Sequence, residues 1–147
     1  MGVYKTLDEV PDRYRFYQHA AAYDGRDVWD EYLETHLWER GSSDKFKKDT
    51  RLVERRWKAH MDDRGRHHAL ATPEDVNAWF ESLLDQLALW SAYTPYWVRI
   101  EDFYRWLQWH TDHPHTYHPV LMAAAEYDAA SKVWAEKIRG KPTGGST

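Results

Sequence analysis

Four cations, Lys48, Arg51, Arg55 and Lys58, recur at intervals of three, four and three residues, the spacing that sets side chains along one stripe of an α-helix. A row of ammonium and guanidinium groups is chemically suited to neutralising a run of phosphates. Lys45, Lys47 and Arg56 flank this row, and Arg64 and Arg66 follow it. The same stretch carries Asp44, Asp49, Glu54, Asp62 and Asp63, so a solvated helix face neutralised by local ion pairs is the competing account. A second group contains Tyr93, Thr94, Tyr96, Arg99 and Arg105. Hydroxyls bond phosphate oxygens and arginine reaches base edges with two donors, and Tyr96 and Arg99 are the stronger candidates here. Arg105 has an ordinary alternative in Glu101, four residues earlier.

Histidine is the other chemically capable residue. His110, Asp112, His113, His115 and His118 crowd one loop, and His67 and His68 sit in another. Zinc accepts three imidazoles and a carboxylate, but the chain has no His-Glu-x-x-His signature. The alternative is that these rings cap helices and bond loop carbonyls. The chain contains no cysteine, which excludes thiol catalysis, disulfides and cysteine-ligated metals together. No glycine-rich phosphate cradle is present, and no carboxylate pair stands apart from ordinary surface acids. We expect no metal and no cofactor.

These groups need a scaffold, and the spacing of apolar residues predicts one built of helices. A first helix follows Asp27, which can accept amides of the first turn, with Val28, Trp29, Tyr32, Leu33, His36 and Leu37 on one side and a stop near Gly41. A second runs from Ser42 or Ser43 to about Arg64, turning Phe46, Thr50, Val53, Trp57 and Met61 inward, and Gly65 ends it. The third has the clearest start, with Thr72 as cap, Pro73 in the first position and Glu74 and Asp75 in the first turn. Its inward residues are Val76, Trp79, Phe80, Leu83 and Leu87. A fourth is expected from about Ala92 to His110, with Pro95 in its first turn. It turns Trp97, Ile100, Phe103, Tyr104 and Leu107 inward, and Trp106 and Trp109 also read as packing groups. Pro119 opens a fifth reaching about Arg139, with Leu121, Met122, Ala125, Ala129, Val133, Trp134 and Ile138 as its apolar positions. The expected fold is an all-α compact bundle of four to five helices spanning 27–139. An N-terminal arm, 1–26, precedes it, with Tyr14, Phe16, Tyr17 and Tyr23 available for packing, and a flexible tail, 140–147, follows.

The 147 residues are 42% hydrophobic, with nine Trp, ten Tyr and four Phe, enough for one core and too many large apolar groups for a disordered chain. The net charge of −4 hides an uneven distribution. Residues 1–39 carry nine acids and four bases, and residues 67–147 carry ten acids and six bases, whereas 40–66 carry ten of the twenty Lys and Arg against five acids. That basic island in an acidic chain is a candidate polyanion footprint. No run approaches the roughly 18 apolar residues of a membrane span, and the first residues lack the pattern of a signal peptide. The expectation is a soluble cytoplasmic protein.

The succession Val28-Trp29-Asp30-Glu31-Tyr32-Leu33, a serine-initiated helix carrying Trp57, and Ala71-Thr72-Pro73-Glu74-Asp75-Val76 leading to Trp79-Phe80 and Leu83-Leu84 resembles the SAM-like N-terminal core-binding domain of tyrosine recombinases, the phage-type integrases. Tyr93 through Leu107 looks like the fourth helix of that family. Tyr117-His118-Pro119-Val120 looks like the asparagine-proline-valine step that closes the domain, with His118 standing where asparagine is common. The resemblance covers roughly residues 27–122, and the wording is also similar to haloarchaeal integrases. It implies a SAM-like helical bundle that forms one half of a clamp on duplex DNA, the second and fourth helices towards the major groove. The family's catalytic domain, with its nucleophilic tyrosine, has no counterpart after Val120. The implied protein is therefore a non-catalytic module in DNA integration and recombination, contacting DNA through Lys45, Lys47, Lys48, Arg51, Arg55, Lys58, Tyr96 and Arg99. An accessory or competitor at recombination sites is one implied role. A protein-interaction domain of the same fold, contacting a full-length recombinase or itself through exposed aromatics, is the alternative.

Overall fold

A computed structural model describes residues 4–38, 43–110 and 112–139. All regular secondary structure among those residues is helical, with no strand among them. The principal helices are α1 (Val28–Tyr32), α2 (Asp44–Asp63), α3 (Pro73–Leu84), α4 (Val98–Trp109), α5 (Pro119–Glu126) and α6 (Asp128–Arg139). This exceeds the four to five expected.

Helix boundaries follow local chemistry where that chemistry is strong. At the start of α1, the Asp27 carboxylate accepts the Asp30 amide at 3.1 Å, and Ser43 Oγ does the same for Phe46 N–H in α2. The end of α2 is a Schellman turn: Arg66 N–H donates to Met61 O and Gly65 N–H to Asp62 O, with Gly65 at φ +75°. In α3, Thr72 Oγ accepts from Asp75 N–H while Thr72 N–H donates to Asp75 Oδ2, a reciprocal capping box around Pro73. The first helix does not run regularly towards Gly41; after Tyr32 it widens into a π-turn over Leu33–Leu37. Residues 39–42, which include Arg40, the expected stop at Gly41 and the alternative start at Ser42, lie outside the described residues, as does the tail at 140–147.

Two expected helices are interrupted. The fourth is regular only from Val98, because Thr94 is extended (φ −125°, ψ 121°) within the wide-turned stretch Ala92–Trp97. Proline at 95 disfavours helical geometry at the residue before it. The fifth is two helices, broken where Tyr127 is extended (φ −124°, ψ 145°). Asn77 of α3 supplies the acceptor that a helix start needs, since its Oδ1 takes the Ala130 amide at 3.0 Å.

The core is aromatic. Trp29, Trp57, Trp97, Tyr23, Tyr32, Tyr104, Phe80 and Phe103 are all fully buried, and Trp57 meets Trp79 edge-on at 4.9 Å. Tyr104 is the central polar node: its hydroxyl donates to His68 O at 2.8 Å and accepts Ala71 N–H at 3.0 Å. The N-terminal arm packs on this core, with Phe16 stacked on Tyr117 at 4.0 Å and its amide bonded to the Tyr117 hydroxyl. Val10, Phe16 and Tyr23 are buried, whereas Tyr14 and Tyr17 stay exposed. Four further apolar expectations need correction. Trp109 is 82% exposed and Ile138 77% exposed, and Leu121 and Ala125 also face outward. The break at Tyr127 gives α5 and α6 separate inward faces, which Ala123 and Ala130 fill together with the expected Met122, Ala129 and Val133.

Candidate nucleic-acid interface

Helix α2 turns Thr50, Val53, Trp57 and Met61 into the core, which leaves an arc of charged side chains outside. At about 100° per residue, the predicted cation stripe divides into two margins. Arg51 and Lys58 lie at the margin beside α1, and both are already occupied. Arg51 Nη1 is 2.8 Å from Glu54 Oε1 and its Nη2 is 3.9 Å from Asp30. Lys58 Nζ is 2.6 Å from Glu54 and 2.9 Å from Asp27. Those contacts raise the Lys58 pKa against its burial and hold Asp27 below its usual range. The local-neutralisation account therefore holds for half of the row.

Lys48 and Arg55 lie on the outward face of α2, roughly opposite Trp57, exposed and without an ion-pair partner among the described residues. Beside them, on the side facing the stretch Ala92–Trp97, is Arg56. Its Nη1 donates to the Tyr96 hydroxyl at 2.6 Å, and its guanidinium lies 5.6 Å from the Tyr96 ring centre. Arg99 stands on the same seam with its guanidinium 4.2 Å from the Phe46 ring centre. The structure thus links α2 to the Ala92–Trp97 stretch and α4 through Arg56 with Tyr96 and Phe46 with Arg99, leaves Lys48 and Arg55 on the outward face of α2, and pairs Arg51 and Lys58 beside α1.

The remaining expected residues fall at the edges. Lys45 pairs with Asp49 at 2.8 Å from a highly exposed position, and Lys47 Nζ stands over the Trp38 ring at 5.6 Å. The Tyr96 ring is buried, so only its hydroxyl is placed to join the seam. Arg105 takes its helical partner Glu101 at 2.7 Å. Arg64 and Arg66 are spent on the fully buried Asp75, where two guanidinium groups hold the carboxylate down to about 2. Arg56, a flanking residue in the sequence pattern, proves to be the link between the two helices. The signal for it was its place opposite the α1 side of the wheel.

His67, His68 and His118 hold loops and helix starts through hydrogen bonds. His67 Nδ1 accepts Ala69 N–H and its Nε2–H donates to Arg26 O. His68 Nε2 accepts Trp29 N–H, and burial pushes its pKa down to about 3. His118 caps α5, with Nδ1 accepting Leu121 N–H and Nε2–H donating to Glu101 O. This explains how histidine fills a position suited to asparagine: one ring nitrogen replaces the side-chain oxygen as cap. Among the described residues, no three His, Asp or Glu side chains converge in a way that could hold a metal ion.

A cleft of roughly 930 Å³ lies between the Asp24–Asp27 turn and the end of α2, lined by Arg26, Asp27, Lys58, Arg66, His67 and His68 among others. Its cations are paired internally, Arg26 with Glu31, Lys58 with Asp27 and Arg66 with Asp75. Lys48 and Arg55, which have no ion-pair partner among the described residues, therefore present positive charge that the cleft, with its paired cations, does not. No helix among the described residues is long and apolar enough to cross a membrane. Compared with protein-family models, curated proteins and solved structures, the chain matches none.

Proposed function

We propose that this protein is a duplex DNA-binding module of the kind that forms the core-binding half of tyrosine recombinases. In this reading it grips the phosphate backbone through the outward face of α2, with Arg56 and Arg99 toward α4, and does not itself cut DNA. The supporting observation is the pair Lys48 and Arg55, exposed and without ion-pair partners among the described residues, on one face of a 20-residue helix whose opposite face is locked in the core by Trp57. Arg56 and Arg99 extend that charge to the next helix. A rigid cationic row flanked by a second element is the arrangement that positions a protein on a duplex before any base is read.

The test is fluorescence anisotropy with a random labelled duplex. Engagement of about four phosphates gives a log–log salt slope near −3.6, so affinity falls roughly a hundredfold between 50 and 200 mM salt. The double variant Lys48→Glu/Arg55→Glu is expected to abolish the low-salt binding while leaving the circular dichroism spectrum unchanged. Equal affinity of that variant and the wild type would defeat the assignment. Trp109, 82% exposed on α4, favours a second reading in which the same fold associates with a recombinase or with itself. Self-association by light scattering, with no response to duplex DNA, would select that reading.

A further inference from the structure

Glu54 is nine-tenths buried in the basic face of α2 and is bonded to two of its cations at once, Arg51 three residues before it at 2.8 Å and Lys58 four residues after it at 2.6 Å. Asp27, the cap of α1, closes on Lys58 from the neighbouring helix at 2.9 Å. The two carboxylates offer these cations the same chemistry that phosphate oxygens would, as anionic acceptors of charge-assisted hydrogen bonds. Lys58 is held between them with its side chain 29% exposed, whereas Lys48 and Arg55 on the outward face carry no such ties among the described residues.

We propose that Glu54, assisted by Asp27, is an affinity-setting residue that competes with the DNA backbone for Arg51 and Lys58 and so confines phosphate contact to the Lys48, Arg55 and Arg56 margin. The inference rests on the DNA-binding reading and specifies which cations act in it. An internal competitor lowers the number of counterions released on binding, and therefore the affinity at low salt, without altering the fold. Glu54 acts through its neighbours, so it is a positioning residue, and the salt slope reports on it directly.

The experiment measures log Kd against log salt for a random duplex with the full chain, in the wild type, Glu54→Gln and Glu54→Gln/Asp27→Asn. Asparagine preserves the α1 cap. Each cation released to a phosphate steepens the slope by about 0.9, so the single and double variants are expected to be steeper by about one and about two, with roughly tenfold tighter binding at 50 mM salt in the double variant. Glu126→Gln removes the same charge from α5 and is expected to leave the slope unchanged. A double variant with the slope of the wild type or of Glu126→Gln overturns the inference. If Lys48→Glu/Arg55→Glu still abolishes wild-type binding, the DNA reading stands without it. If neither the wild type nor the double variant binds duplex at 50 mM salt, both fall. Should Glu54→Gln fail to fold, Arg51→Gln and Lys48→Gln decide: Arg51→Gln is expected to leave the wild-type slope unchanged and Lys48→Gln to reduce it by about one. A loss of about one slope unit in Arg51→Gln overturns the proposal.

Discussion

Lowering the pH from 7.5 to 5.0 is expected to remove about 6 kcal/mol of folding stability through three buried histidines. In the unfolded chain each imidazole titrates near 6.5. In the folded protein burial holds His68 and His115 at about 3 and His118 at about 4. Between those limits the unfolded chain binds protons that the folded protein does not, so stability falls as pH falls below 6.5 and the loss levels off only near the folded pKa values. At pH 5.0 each group accounts for about 2 kcal/mol, and the sum rivals a whole folding free energy of about 5–15 kcal/mol. His60, His67 and His113 are also pushed down by burial and act in the same direction. Geometry gives the same sign. A proton added at His68 Nε2 or His118 Nδ1 would set N–H against the amide of Trp29 or Leu121 that each now accepts. The carboxylates with lowered pKa, Asp75 and Asp27, titrate below their unfolded value near 3.8 and leave this window untouched. Urea titrations followed by tryptophan fluorescence at pH 7.5, 6.5, 5.5 and 5.0 measure the effect, and below pH 6 the slope approaches about 4 kcal/mol per pH unit, that of three protons. His118→Asn keeps a capping acceptor and is expected to shed one proton of that slope. Stability that stays flat from pH 6.5 to 5.0 would refute the reasoning.

Further perturbations separate the elements. Gly65→Ala is expected to cost about 1 kcal/mol through left-handed backbone strain alone, since a Cβ there meets nothing within 4 Å; chemical denaturation measures it. Asp75→Asn is expected to cost about 3 kcal/mol by leaving Arg64 and Arg66 without their buried carboxylate, read as a fall in Tm at pH 7. Trp57→Ala is expected to cost about 4 kcal/mol, whereas Trp109→Ala should stay within about 0.5 kcal/mol of the wild type. Comparable losses for the two would contradict their burial.

How much of the fold was legible depended on whether its determinants were local. Ser43, Thr72 and Gly65 act on amides and carbonyls within a few residues, and their helix ends stand where the pattern put them. The extended Thr94 also had a local signal, being the residue before Pro95. Trp109 had an angular one: it lies about 180° from Ile100 on the α4 wheel, away from the inward stripe. The break between α5 and α6 had neither signal. Tyr127 carries no glycine or proline beside it, and the acceptor that starts α6 comes from Asn77, fifty-three residues away from Ala130. Periodicity reads a continuous helix there because it cannot see a partner supplied by another element.

The same limit governs the candidate site. On the α2 wheel, Lys48 and Arg55 lie within about 20° of each other, and Arg51 and Lys58 do likewise about 60° away. The sequence pattern therefore contained the division of the row but not its meaning, which depends on what each margin faces. The Arg51 margin faces Asp27 and Asp30 of α1, held there by Trp29 and Tyr32 in the core, and the Arg56 margin faces Tyr96. Packing of apolar residues on the hidden side of two helices thus decides which cations on the visible side are committed. Buried Trp29 thus helps decide which cations of the basic face are paired. A core change that tilts α1 away would withdraw Asp27 and Asp30 together and leave Arg51 and Lys58 with Glu54 alone.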